Sequence, residues 1–306
     1  HCDTIQVALD ENIDLMNEQL SFNLEQAKKN GPMIQMTAVF VNPNYKNSFQ
    51  RAKNIIEYFE KQMKKYPEEV LQVKTKEDIL KVEKENKIGC LLTIENGSAI
   101  EEKIDNVDYF YNKGVRVMSI TWNEDNLLGC GSQTKRDNGL TKLGEQYIKK
   151  LNQKGIMIDV SHSSEKTFWD TAKLTESPIV ATHSCCYSLC PHPRNLKDEQ
   201  IKQIAESGGI IGVCYCTAFL SKTEIAGVKE IARHICHIAD LVGVDYVGVG
   251  SDFDGLEKEH IPTDLKNIGQ IDNLIQELRN IGLHQEEIEK IMGKNWIRKM
   301  LKTKQI

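Results

Sequence analysis

The chain has 306 residues, 40% hydrophobic and 27% charged, with a formal net charge of −5. That is enough apolar material for a substantial core in one large α/β domain or two smaller ones, and the acidic balance provides no basic face for nucleic acid. No apolar run approaches the ~20 residues of a membrane span, no signal peptide is visible, and the nine cysteines include no CxxC pair, so reduced, mostly buried thiols in a cytoplasmic protein are expected.

The sequence opens on His1-Cys-Asp-Thr without an initiator Met, and a polar, helix-prone segment runs on to Asn30. Residues 33–41 (MIQMTAVFV) form a continuous apolar run that reads as a buried strand. Helical periodicity over 49–66 puts Ile55, Ile56, Phe59 and Met63 on one face. A minor strand at 70–73 and a helix at 76–85 precede a strand at 88–94, which ends at Glu95. A helix over 104–112 stops at Gly114, and a strand at 115–120 and a polar, glycine-punctuated loop at 123–139 follow. The helix at 141–154 opens on Thr141, carries Glu145 in its first turn and stops at Gly155.

Two short apolar runs, 156–160 and 179–181, then flank a helix-length segment, and a histidine lies just past the end of each, His162 and His183. After a Pro-punctuated loop at 190–196 come a helix at 198–206, a strand at 210–214 and a long helix at 225–242. The strand at 246–249 runs into Gly250-Ser-Asp-Phe-Asp-Gly255, and helices at 272–281, 285–292 and 295–302 complete the chain.

Continuous apolar strands separated by helices specify a parallel sheet covered on both faces. Seven main strands are counted, and an eighth is expected before residue 1. Residues 1–306 are therefore expected to form one (β/α)8 TIM-type barrel domain with extra C-terminal helices.

The polar residues at the strand ends fall on one rim, the face on which such barrels carry their chemistry. They are His1 and Asp3, then Glu95, then Trp122 and Asn126, then His162 and His183, and finally Asp252 and Asp254. In His-x-Asp the two side chains share one side of an extended backbone. Two more histidines and a carboxylate complete a donor set suited to a borderline metal such as zinc, and five ligands suit two ions better than one. Asp252 is placed to move protons. Each histidine taken alone reads equally as a strand-end residue capping a backbone carbonyl. His192 reads as a loop residue between two prolines, Asp254 as a turn residue before Gly255, and His234, His237, His260 and His284 as structural or exposed.

The ordered set resembles the membrane (renal) dipeptidase family, zinc dipeptidases of the metal-dependent amidohydrolase type. The resemblance is carried by His1-Cys-Asp3-Thr, Ile94-Glu95-x-Gly97, Gly114-Val-Arg116-x-x-x-x-Thr121 with Asn126 beyond, Asp159-x-Ser-His162, Pro178-x-x-x-Thr182-His183-Ser184, Arg194-Asn195, Gly250-Ser-Asp252-Phe-Asp254-Gly255 and Gly293-x-Asn295. It implies that His1 and Asp3 hold one Zn2+, that His162 and His183 hold a second, and that Glu95 bridges both. It further implies that a metal-bridging hydroxide attacks the peptide carbonyl, that Asp252 passes the proton to the leaving amine, and that Arg194 binds the C-terminal carboxylate of a small peptide substrate, with Trp122 and Asn126 beside it. Tolerance of a D-residue at that position and a homodimer are expected on the same grounds. Two positions depart from the family pattern: Asn96 stands where a glycine is usual, and Trp122 where some members place a histidine. Two alternatives remain open, an amidohydrolase acting on cyclic amides, N-acyl amino acids or lactams, and a metal-binding barrel without activity.

Overall fold

The computed structural model describes residues 1–303. Its strands are β1 (Met33–Phe40), β2 (Val70–Gln72), β3 (Ile88–Glu95), β4 (Val115–Ser119), β5 (Met157–Asp159), β6 (Ile179–Val180), β7 (Ile211–Val213) and β8 (Val247–Val249). One parallel sheet runs β1-β3-β4-β5-β6, with β2 pairing the start of β3, and β7 and β8 form a second parallel pair. Single bridges carry the pairing across both gaps. Ala181 pairs with Ile211 between β6 and β7, and Cys2 pairs with both Phe253 and Thr37, between the end of β8 and β1. The order is that of a (β/α)8 barrel, with Cys2 standing between the last strand and β1. A cavity of about 350 Å³ lies beside this seam, lined by Met33, Met36, Val249, Phe253 and Trp296 among others.

Local chemistry explains the element boundaries. Thr141 accepts from the amide of Gly144 at the start of Lys142–Lys154, and Gly155 ends that helix in the left-handed region at φ 66°. Gly114 does the same after Asn106–Lys113, at φ 97°. All eight residues of β3 are buried. The helix Ser48–Lys65 buries Ala52, Ile55, Ile56 and Phe59. Each large side chain so buried contributes about 1.5–3 kcal/mol.

The structure differs from the expectations at three places. The segment to Asn30 contains two short helices, Thr4–Asp10 and Leu24–Lys28, because the Asp254 carboxylate accepts the amides of Ser21 and Phe22 and holds the intervening chain as a loop. The long helix begins at Val228, since Asp264 accepts the Val228 amide and Glu230 that of Gly227. The helix Gln285–Glu289 passes through a π-turn, Lys290–Lys294, into Asn295–Lys302. There the buried Asn295 donates to the carbonyls of Val244 and Val247 and docks the tail on the start of β8. The nine cysteines are all free, eight of them buried, and burial pushes the thiols of Cys2, Cys90 and Cys216 up to about 12.

Lys299, on that last helix, is buried and donates to the carbonyl of Gly208. Burial, and then the charges of Lys302 and Arg298, lower its ammonium to about 8. A folded pKa below the unfolded one means that the unfolded chain holds the proton more tightly. The charged form therefore costs stability below about pH 8, and the cost fades as pH rises to the ordinary lysine range near 10.4. Lys299→Met is expected to raise Tm at pH 7 by a few degrees and to flatten the rise in stability between those two values, as thermal unfolding across that range will show. A lower Tm at pH 7 would mean that the bond to Gly208 outweighs the desolvation.

Candidate active site

Each candidate ligand sits at or just beyond a strand end. His1 and Asp3 flank the bridging Cys2, Glu95 is the last residue of β3, and His162, His183 and Asp252 each stand three residues past β5, β6 and β8. The five from His1 to His183 are all buried.

Their reactive atoms converge. His162 Nε2 lies 2.8 Å from His183 Nε2 and 3.0 Å from Glu95 Oε1. His1 Nε2 lies 2.9 Å from Glu95 Oε2, 3.6 Å from Asp3 Oδ2 and 3.8 Å from Asp252 Oδ1. The two oxygens of Glu95 thus face different histidines. Donor atoms of His1, Glu95 and His183, and of His1, Asp3 and Asp252, each fall within 4.8 Å of one another. Ligands about 2.0–2.2 Å from a tetrahedral ion stand about 3.3–3.6 Å apart; the contacts here, from 2.8 to 3.8 Å, span that distance, and the nitrogen and oxygen donors suit a borderline cation.

The electrostatics point the same way. Burial alone would lower His1, but the hydrogen bonds and charges of Asp3 and Glu95 outweigh it and raise the imidazole well above its usual range. Burial pushes Glu95 up, and its bonds to His1 and His162 overcome that and hold it low. Burial and then the charge of Glu95 lift Asp3 to about 8, and burial raises Asp252. His162 and His183 are lowered, first by burial and then by Arg194 or by His1 respectively. Buried carboxylates and histidines that compete for protons at contact distance form a site where a cation displaces protons on binding.

Arg194 closes one side and is 2% exposed. Its Nη2 donates to the His183 carbonyl at 3.1 Å, and its guanidinium carbon lies 5.3 Å from the Phe219 ring centre. Its Nε and Nη1 are buried without a hydrogen-bond partner among the described residues. Unpaired buried donors on a guanidinium are costly, and an anion arriving in the cleft would satisfy them. The cleft has a volume of about 480 Å³ and includes Asp3, Phe40, Glu95, Trp122, His162, Arg194 and Asp252 in its wall. Trp122 stacks near Phe40, at 5.3 Å between ring centres, and stands 6.1 Å from the His162 ring.

Other residues fall differently from the sequence reading. Asn126 is not in the cleft wall. Its amide donates to Asn96 Oδ1 and the Ile120 carbonyl, and its oxygen accepts from Leu128 and Gly129. It is therefore spent on shaping the loop after β4. His192 and His260, read as loop and remote residues, both line the cleft, and His192 stacks on Phe219 at 4.6 Å. Barrel closure brings their loops over the rim, which linear spacing does not show. Asp254 is more than a turn residue, since it accepts from Thr4 Oγ1 at 2.6 Å as well as from the 21–22 amides.

Asn96 tolerates its glycine position because it adopts φ 73° with its side chain bonded to Val41, Ser98 and Asn126. Gly97 has no such latitude, as a Cβ there would meet the Ile120 carbonyl at 2.7 Å. Asn123, Asp159 and Thr182 carry no role in the sequence reading, yet each bonds a site histidine or the group that holds one. For Asp159 the available signal was a carboxylate inside a buried strand, which must be paired.

Known proteins resemble this chain in sequence and in fold. The membrane dipeptidase family (Peptidase family M19) matches residues 1–306. An uncharacterized protein in the pqqA 5′ region of Klebsiella pneumoniae is 36% identical over 231 residues, covering 72% of this chain and 84% of that protein. Among solved structures, the metallo peptidase named dipeptidase AC superposes with a TM-score of 0.91 at 26% identity, covering 99% of this chain and 97% of the other. An amidohydrolase from Pseudomonas aeruginosa superposes with a TM-score of 0.84 at 29% identity, covering 93% and 92%. With a whole-length family match and a rim that gathers histidines and carboxylates around a buried arginine, this chain belongs to the membrane dipeptidase family, peptidase family M19, and is a metal-dependent dipeptidase.

Proposed function

We propose that the protein hydrolyses dipeptides bearing a free C-terminal carboxylate, with two zinc ions held by His1 and Asp3, by His162 and His183, and by Glu95 between them. The observation that supports this most is Arg194, buried beside the cluster with two N–H groups unpaired. A peptide carboxylate fits that fork and restricts the substrate to one whose C-terminus lies next to the scissile bond. When bound, the metal supplies a Lewis acid for the carbonyl and lowers the pKa of water.

The protein's own side chains do the rest. Arg194 orients the substrate, and its guanidinium rests against Phe219. Asp252 takes the proton of the attacking water and delivers it to the departing amine, a role suited to a carboxyl raised by burial. Trp122 and Phe40 supply apolar wall to the cleft and limit water there. Among the described residues no helix is long and apolar enough to cross a membrane.

The test is a panel of L,L and L,D dipeptides, N-acyl amino acids and cyclic amides, run on protein stripped by chelator and then reloaded. Stripped protein is expected to be inactive, and zinc is expected to restore cleavage of dipeptides alone. Cleavage that survives chelation, or reloaded protein that cleaves only the cyclic or N-acyl compounds, counts against the reading.

A further inference from the structure

We infer that Thr182 is a positioning residue shared by the two metal positions. Its hydroxyl, oriented by the Asp159 carboxylate, accepts the Nδ1–H of both His1 and His183 and so turns both Nε2 lone pairs into the cluster. The inference rests on the two-zinc reading above and extends it to residues outside the cleft.

The argument is a count of protons. Asp159, buried at the end of β5, accepts four hydrogen bonds. Three go to Oδ1, from Ser161 N at 3.0 Å, Ser161 Oγ at 2.6 Å and Thr182 N at 3.1 Å. The fourth goes to Oδ2, from Thr182 Oγ1 at 2.6 Å. Both hydroxyl protons are therefore committed to the carboxylate, in short charge-assisted bonds. A threonine hydroxyl has one proton and two acceptor sites. His183 Nδ1 lies 2.8 Å and His1 Nδ1 3.2 Å from Thr182 Oγ1. With the hydroxyl proton spent, both ring nitrogens must be the donors.

A histidine whose Nδ1 is held as a donor has only Nε2 left to offer a cation, which displaces the proton that Asp3 and Glu95 hold on His1. Both Nε2 atoms face Glu95. His162 is set independently, through Asn123 Oδ1 at 2.9 Å from its Nδ1. One buried hydroxyl thus serves a histidine from each metal position, and a different residue serves the third. Thr182 and Asp159 are buried at 1% and 4% exposure and do not line the cleft, so neither is placed to touch substrate.

The test titrates metal-free protein with zinc against a chromophoric chelator, for the parent and for Thr182→Val, Asp159→Asn and Asn123→Ala. Thr182→Val removes the acceptor while three of the four Asp159 bonds remain. In Asp159→Asn the new amide donates to Thr182 Oγ1, which frees the hydroxyl proton to point at a histidine and opposes the required tautomer. The parent is expected to bind two equivalents. Thr182→Val and Asp159→Asn are each expected to weaken both equivalents by about 10–100-fold, and Asn123→Ala to weaken one alone. Should Thr182→Val fail to fold, Asp159→Asn, which preserves shape, decides the matter. The inference is overturned if the folded variant binds both equivalents as the parent does, or loses only one. A parent that binds no zinc overturns the zinc reading and this inference with it, and that failure is distinguishable because it precedes any substitution.

Discussion

Asp252→Asn is expected to lower kcat by about 10²–10⁴-fold, the usual contribution of a positioned acid–base group, while KM and bound metal stay near the parent values. Asp252 follows β8 in the left-handed region at φ 62°, which Asn adopts as readily as Asp. Its amide donates to the His1 carbonyl at 3.1 Å and its carbonyl accepts from the Gly255 amide, so the backbone that places it survives the change. The neighbouring Ser251 hydroxyl also donates to the His1 carbonyl and ties the two segments together. What the substitution removes is a carboxylate oxygen 3.8 Å from His1 Nε2 that can take a proton. An amide of the same shape cannot. Steady-state kinetics on a cleaved dipeptide, with metal analysis of the same sample, separates the cases. Unchanged kcat at full metal content would remove Asp252 from the mechanism, and lost metal would make it a ligand instead.

Arg194→Met is expected to cost about 10²–10³-fold in kcat/KM on dipeptides with a free carboxylate, or about 2.7–4 kcal/mol, within the range for truncating one partner of a buried charge pair. The same variant should lose far less on the corresponding dipeptide amides, on which the parent is itself expected to be slow. Arg194→Lys should recover only part of the loss, because an ammonium keeps the charge and lacks the two-pronged geometry. The amide comparison is needed because Arg194 also touches two of the candidate metal ligands. Its Nη2 donates to the His183 carbonyl and lies 3.3 Å from His162 Nε2. An equal loss on carboxylate and amide substrates would therefore show that Arg194 acts by holding the histidines. A loss confined to the free carboxylate would show that it reads the substrate's end.

Much of this site was legible without coordinates. Continuous apolar strands broken by helices specify a covered parallel sheet, and the strand ends at Glu95, Asp159 and Val180 lie within a residue or two of where the apolar runs stop. The ordered strand-end residues from His1 to Asp252 then specify one rim, because in such a sheet all strands point the same way. Helix stops at Gly114 and Gly155 and the start at Thr141 were equally local, since caps depend on neighbours three or four residues away.

Distances between residues far apart in the chain were decided only by the closed barrel. His1 and Asp252 meet because Cys2 bridges Phe253, 251 residues on, and Thr37 on its other side. The same closure brings His192 and His260, read as a loop residue and as structural or exposed, over the cleft, and leaves Asn126, read beside the substrate, outside it. The sequence by itself determined which residue types stand at each strand end, because side-chain period and turn chemistry are local. Only the tertiary structure decided which of those side chains share protons. A hydroxyl such as that of Thr182 can accept from both His1 and His183 only when the fold brings their rings within about 3 Å of it, a typical hydrogen-bond distance.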